Sequence, residues 1–282
     1  MCAARKSMSI ADELKKADLH VRTTASMGRV APYEAVALAK QNGIFAIAVV
    51  DHESVDGIPV AQLAGETHEI EVIPGIELTY EEAEREAHLI GYFIDWRNPE
   101  LKTVIRMIQV WRNMRIEEIL KKLADIGINI SFNEVMKEAG EMAVLGRTHV
   151  ARLLVKKGHA KTPAEAFDKF LSPGKPAHVF KQQLTLKEVV DVIRGAGGVM
   201  ALAHPKFNHA YELIPKLTKL GLAALEVYHP YHTAEETQKF QRLAKKYKLI
   251  EVGGTDSENK RSPVGTVVVP YATVEKLKRK IK

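Results

Sequence analysis

Eight side chains able to hold a divalent cation fall at or beside the ends of short apolar runs in this 282-residue chain. His20 ends a run at 19–21, and Asp51-His52 follows one at 44–50. Glu77 closes a run at 72–78, and His88 opens one at 88–93. His204 follows 199–203, His229 follows 222–228, and Asp256 comes just after 249–252 and Gly253-Gly254. Imidazole and carboxylate together suit Zn, Mn or Fe, and a bridging glutamate can hold two ions. Adjacent ions activate water and clamp a phosphoryl oxygen during an in-line displacement. One strand-end histidine means little, because most are structural or merely exposed. Recurrence at successive strand ends is what points to a site.

The runs that carry these residues read as strands: they are short, rich in β-branched residues and bounded by Gly, Pro or Asp. An eighth run lies at 266–269. Amphipathic stretches at 32–41, 185–194, 210–220 and 234–247 alternate with them. Thr185 with Glu188 fits a capping box, and Gly195 fits that helix's end. Strand–helix alternation predicts a parallel sheet, open or closed into a barrel. In a barrel the C-terminal strand ends converge on one face, so residues two hundred positions apart can meet there. His88, at the start of its run, is the exception to that geometry.

Between about 98 and 181 the pattern is helical throughout, at 100–127, 131–140, 148–157 and 163–171. Thr162-Pro163 is a further N-cap with proline at the first helical position. The expected organisation is therefore a barrel segment at 1–98, a helical insertion at 99–181 and a second barrel segment at 182–282. With 46% hydrophobic and 27% charged residues the composition is globular. The single Cys2 excludes an intramolecular disulfide framework and suits a reducing cytoplasm. No apolar run approaches the roughly 18–20 residues of a membrane span, and no signal core opens the chain. The expectation is a cytoplasmic protein. A net charge of +6 mildly favours a polyanionic ligand such as a phosphate ester or nucleic acid.

The same residues carry a family resemblance. Asp18-Leu19-His20-Val21-Arg22, continuing through Ser26-Met27-Gly28, is similar to the first motif of the PHP (polymerase and histidinol phosphatase) domain, D-x-H-x-H followed by S-D-G. Val50-Asp51-His52-Glu53 with Val55-Asp56-Gly57 resembles the second motif, T-D-H-x-x-x-x-G. Pro74-Gly75-Ile76-Glu77, His88-Leu89-Ile90-Gly91-Tyr92, Ala203-His204-Pro205 and Gly254-Thr255-Asp256 resemble the remaining signatures. Gly146-Arg147-Thr148-His149-Val150-Ala151 and Ala166-Phe167 look like the helical insert of stand-alone PHP phosphatases. The resemblance covers nearly the whole chain. It implies a distorted seven-stranded, TIM-like (βα)7 barrel, up to three divalent metals and phosphoester hydrolysis, with nucleoside phosphates and 5′ ends of short oligonucleotides as the nearest subfamily's substrates.

Three positions depart from the family pattern. Arg22 stands at the second His, Met27 at the Asp of S-D-G, and Glu258 at the final His. Carried over by position, the first metal would keep His20, Glu77 and Asp256, the second Glu77, His88 and His204, and the third only His52, with Glu258 as a possible substitute. A guanidinium cannot ligate a cation, so Arg22 either repels a metal, pairs Glu77 and Asp256 in its stead, or turns to the substrate phosphate. One or two divalent ions (Mn, Zn or Fe) are therefore expected, not three. His52, Arg22 and His229 are the candidates for handling protons and developing charge, and Arg147 and His149 for holding phosphate. His232, His68, His159, His178, His209, Trp96 and Trp111 read as surface or packing residues. The expected function is a metal-dependent phosphoesterase acting on phosphorylated small molecules, nucleotides or short oligonucleotides, with no membrane or obligate protein partner. The alternative is a PHP relative that binds nucleotide, phosphate or RNA without turnover. A deaminase or amidohydrolase fits less well, because the H-x-H start is absent.

Overall fold

The structure, a computed structural model, describes residues 15–82, 85–140, 144–257 and 263–281. Cys2 and Glu258 lie outside the described residues. One compact unit runs to Leu101 and resumes at Leu184, and a second comprises Lys102–Gln183.

The first unit is built on β1 (Lys16–Val21), β2 (Ala46–His52), β3 (Glu71–Glu82), β4 (Arg85–Tyr92), β5 (Val199–Leu202), β6 (Ala224–Tyr228), β7 (Ile250–Gly253) and β8 (Val269–Pro270). They form one sheet in the order β7-β6-β5-β4-β3-β2-β1-β8. The sheet curls until β7 meets β1, where the Asp256 N–H donates to the His20 carbonyl at 2.8 Å. This is the expected distorted TIM-like barrel, seven strands around the wall with the two-residue β8 paired antiparallel to the start of β1. Alternate residues face inward and make an apolar interior: Ala17, Ala46, Ile73, Ile90, Ala201 and Ala224 cluster together, and Val274 and Leu277 join them from the C-terminal helix. The Tyr92 hydroxyl crosses the interior to the Leu19 carbonyl at 3.0 Å.

Besides the short β8, one strand of the wall runs against the all-parallel expectation. β4 is antiparallel to both β3 and β5. Only two residues separate Glu82 from Arg85, and a connection that short permits only an antiparallel return, because a parallel crossover needs a dozen or more. Reversal puts the beginning of β4 at the barrel end where its neighbours finish, which removes the apparent exception of His88.

The helix Ile58–His68 was not apparent from periodicity. Its sequence carries Pro59 near the start and Gly65 inside, both of which read as breakers. Gly65 is there for proximity: a Cβ would lie 2.7 Å from the Ile70 carbonyl oxygen. The capping box read from sequence does form, with the Glu188 N–H donating to Thr185 Oγ1 at 3.3 Å. The second unit is helical, with Phe132–Ala139, Arg147–Lys156 and Pro163–Ala166, the last continued by a wider turn at Phe167–Leu171. Ile119, Leu123, Val135, Val150, Leu154 and Leu171 form its separate apolar core. Among the described residues no helix is long and apolar enough to cross a membrane.

Closure of the barrel depends on Gly254. A Cβ there would sit 2.1 Å from the His20 nitrogen and 2.5 Å from its Cβ, so no side chain fits without parting β7 from β1. Gly254→Ala should destabilise the protein by about 3 kcal/mol, measured by urea unfolding.

Candidate active site

Register decides which side chains share the barrel mouth. His52 on β2 is opposite Glu77 on β3, and Thr79, two residues on, is opposite His88 on β4. Because side chains alternate, His52, Glu77, Thr79 and His88 all point inward. β1 needs a further device. Its register against β2 slips by one residue between Asp18 and Val21. Leu19 lies in the interior cluster, yet the adjacent His20 also reaches the interior carboxylates. A bulge adds one residue and re-aims the side chains beyond it, so His20 and Arg22 both turn into the mouth.

Arg22 then meets two carboxylates. Its Nη2 lies 2.6 Å from Glu77 Oε2 and its Nε 2.6 Å from Asp256 Oδ1, with the side chain only 2% exposed. The backbone beneath is fixed as well: the Arg22 N–H donates to Ser257 Oγ at 3.0 Å, and the Ser257 hydroxyl donates to the Arg22 carbonyl at 2.9 Å. Burial opposes charge on both carboxylates, but Arg22 and the neighbouring histidines together outweigh it and hold Glu77 and Asp256 well below the usual carboxylate range. Of the three options open in the sequence, the geometry takes the pairing of Glu77 with Asp256.

The other oxygen of Glu77 faces imidazoles. His88 Nδ1 is 2.9 Å and His204 Nε2 3.0 Å from Glu77 Oε1. Burial disfavours the charged ring of His88, yet Glu77 and Glu86 raise its pKa to about 9. His204, buried and beside His88, is lowered. His52 Nε2 pairs with Thr79 Oγ1 at 2.8 Å. Asp256 also takes a contact from His229 Nε2 at 3.2 Å, while the Tyr231 N–H donates to His229 Nδ1 at 3.3 Å. That arrangement keeps the His229 proton on Nε2. His204 and Asp256 both have left-handed backbones, φ +21° and +44°, as does Glu53 at +56°. Strain of this kind persists where the surroundings over-determine it, and it clusters at sites.

Three buried acids anchor this assembly, and Glu226 was missed in the sequence. It stands in the middle of β6 at 0% exposure, 2.9 Å from His20 Nδ1, and accepts the His204 N–H at 2.7 Å. Burial penalises its charge, but His20 and its neighbours hold its pKa down to about 2. In return Glu226, Asp256 and Glu77 overcome the burial of His20 and raise its pKa to about 9. The available signal was a carboxylate between Leu225 and Val227 in an otherwise apolar run, a placement that needs a buried partner. Asp18 accepts the Thr255 and Gly265 N–H groups at 2.9 Å each, tying β1 to the C-terminal segment. Asp51 accepts from the Thr23 N–H at 2.7 Å and the Ser26 hydroxyl at 2.5 Å. Desolvation raises both acids to about 6.

Donor chemistry distinguishes two places for a divalent ion. Ligand atoms of His52, Glu77 and His88 lie within 4.8 Å of one another, and His204 Nε2 meets the same Glu77 oxygen as His88. These imidazoles and carboxylate fit a Zn, Mn or Fe ion. Between His20, Glu77 and Asp256 the fit fails. Arg22 already spans both carboxylates, and a fixed cation there repels a second one. Among the described residues His20 Nε2 has no hydrogen-bond partner, and it faces this spot 3.7 Å from Asp256 Oδ1 and 3.9 Å from Glu77 Oε2. A cavity of about 230 Å³ opens over the assembly, lined by Arg22, His88, His204, Asp256, Met27 and Phe207 among others.

In the helical unit Arg147 donates to the Leu171 carbonyl at 3.3 Å and lies over the Phe167 ring. His149 is buried and accepts the Gly146 N–H at 3.2 Å, closing the N-terminus of its own helix, and burial lowers its pKa. His232 Nδ1 lies 2.9 Å from the Val227 carbonyl. Trp96 pairs with Gln62 at 3.2 Å, a packing role.

The family model of the PHP domain matches residues 18–171. The chain belongs to the PHP family. It is 31% identical over 248 residues to the 5′-3′ exoribonuclease of Haemophilus influenzae, covering 86% of this chain and 89% of that protein. It is 30% identical over 244 residues to the 3′,5′-nucleoside bisphosphate phosphatase of Chromobacterium violaceum, covering 85% and 86%. A solved structure from Bifidobacterium adolescentis, described as a metal-dependent phosphoesterase, superimposes with a TM-score of 0.83 at 25% identity over 95% of this chain and 96% of that one.

Glu226 is expected to support this PHP site as a whole. Glu226→Leu leaves the His20 ring and the His204 N–H without their acceptor, and should cost about 3–5 kcal/mol in denaturant unfolding. Glu226→Gln, which keeps an acceptor oxygen, should cost less.

Proposed function

We propose that this chain is a metal-dependent phosphoesterase that hydrolyses phosphate esters of nucleotides or short oligonucleotides. The observation that carries it is the meeting of His52, His88 and His204 around one Glu77 carboxylate, beside a guanidinium and beneath an open cavity. Glu77, His88 and His204 would hold a divalent ion, with His52 alongside. Such an ion supplies Lewis acidity toward a phosphoryl oxygen and a route to a nucleophile at neutral pH.

The chain's own residues do the rest. Arg22 is a permanent cation at the cavity wall, so it offsets the charge of Glu77 and Asp256. His229, with its proton held on Nε2, is the group placed to pass a proton at Asp256. His20 and Asp256 serve the pairing around Arg22 and Glu226, so one ion, or two, is the expected complement. The substrate class draws support from relatives that act on nucleoside bisphosphates and RNA, and from the net charge of +6. Glu258 would serve as a substitute ligand.

Elemental analysis of protein supplemented with Mn or Zn, beside a phosphate-release assay on a nucleoside monophosphate, tests the proposal. About one equivalent of bound metal with turnover is expected, and His204→Ala or His88→Ala should lower turnover by at least about 100-fold. Less than about half an equivalent, with no hydrolysis of mononucleotides or short oligonucleotides, overturns it. Arg22→His should raise the bound metal by about one equivalent, because it exchanges a fixed cation for a ligand. Unchanged stoichiometry would show that Arg22 does not exclude an ion.

A further inference from the structure

Beside the charged residues, the cavity has an aromatic edge. Phe207 lines it with a ring 40% exposed, and Tyr231, 49% exposed, stands next to it with ring centroids 6.4 Å apart. Both rings border the site histidines. Phe207 lies 5.2 Å from the His204 ring and 6.0 Å from that of His229, and Tyr231 lies 5.5 Å from His229. A single exposed aromatic needs no explanation. A half-exposed Phe207 lining a cavity with charged walls, with the Tyr231 ring beside it and site histidines behind both, does.

The backbone around Phe207 is held in place. The Phe207 N–H donates to the His204 carbonyl at 3.1 Å, and the Tyr211 N–H to the Pro205 carbonyl at 3.1 Å. Asn208 and His209 both adopt left-handed φ, +51° and +55°, and the Asn208 amide donates to the Glu86 carbonyl on β4 at 3.0 Å. The chain thus accepts two strained residues to keep this turn, and the ring it displays is not buried by it. Size supplies the second constraint. At about 230 Å³ the cavity falls below the roughly 300–1,000 Å³ of pockets that enclose a drug-sized ligand. It accommodates a phosphate and its nearest sugar, and anything attached beyond must lie at the mouth.

We propose that Phe207, assisted by Tyr231, is a stacking platform for the nucleobase attached to the scissile phosphate, and that it makes the site select nucleotides over phosphate esters of plain sugars. This rests on the phosphoesterase reading and names what sets its substrate preference. The two rings meet at 65°, so they do not form a parallel clamp. One ring offers its face to the base and the other an edge, an arrangement that tolerates any base. Aromatic stacking of this sort corresponds to about 5- to 150-fold in affinity per base.

Calorimetric titration of metal-supplemented protein with the non-hydrolysable phosphonate analogues of adenosine 5′-monophosphate and of ribose 5-phosphate reads the platform without turnover. The wild type should bind the nucleotide at least about 5-fold more tightly. Phe207→Leu retains apolar bulk against His204 but loses the aromatic face, so it should abolish most of that preference while leaving affinity for the ribose 5-phosphate analogue within about 2-fold. Phe207→Tyr should preserve the preference, and Tyr231→Ala should reduce it partially. Equal affinity of the wild type for the two ligands overturns the inference, as does an equal loss for both in Phe207→Leu. Nucleotide preference without any hydrolysis of the parent esters would sink the phosphoesterase reading and leave the platform standing. Hydrolysis of both parent esters with equal KM would do the reverse.

Discussion

A buried guanidinium bridging two carboxylates governs the rest of this barrel mouth. Glu77 and Asp256 come from opposite ends of the chain, on β3 and just after β7, and Arg22 touches both at 2.6 Å. Two carboxylates this close, this buried, would not both stay ionised without a cation between them. Here the chain provides that charge itself. This has a physical consequence: a metal can leave or be exchanged, whereas the guanidinium is covalently part of the scaffold and charged at every relevant pH. Removing it would leave uncompensated buried charge, an effect on the order of 3–5 kcal/mol.

Keeping Arg22 in place requires a chain of supports. Ser257 pins its backbone from both sides, and Gly28 packs so closely that a Cβ would lie 2.4 Å from the Arg22 carbonyl. The bulge in β1 turns both Arg22 and His20 inward, and Glu226 then fixes the far nitrogen of His20. The same Glu226 accepts the His204 N–H, so the two halves of the mouth share one buried acid. Half of the mouth is therefore closed by internal ion pairs. The other half, where His52, Glu77, His88 and His204 converge, keeps the donor set suited to a divalent ion. The Phe207 ring borders this second half through His204.

Much of this was legible before any coordinates. The strand runs and their polar ends were readable because burial on both faces makes strands short and apolar, so an interrupting His or Glu stands out. The capping box at Thr185 and the N-cap at Thr162 were readable because capping is local chemistry. The helix at Ile58–His68 was obscured by Gly65, whose role is to let the helix approach Ile70, a contact with no local signature. Glu226 was hidden in a similar way, since its function depends on His20, more than two hundred residues away.

By itself, the sequence determined the barrel class, the helical insertion, the residue types available for catalysis and the conflict that Arg22, Met27 and Glu258 introduce. Those are properties of composition, period and position along the chain. Tertiary structure decided the direction of β4, which brings His88 to the same end as its partners, and the one-residue slip in β1, which aims His20 and Arg22 inward. It also decided what Arg22 does. A guanidinium in a motif can repel, pair or bind, and only the distances to Glu77 and Asp256 select among these, because charge interactions at a buried site depend on separation and not on order in the chain.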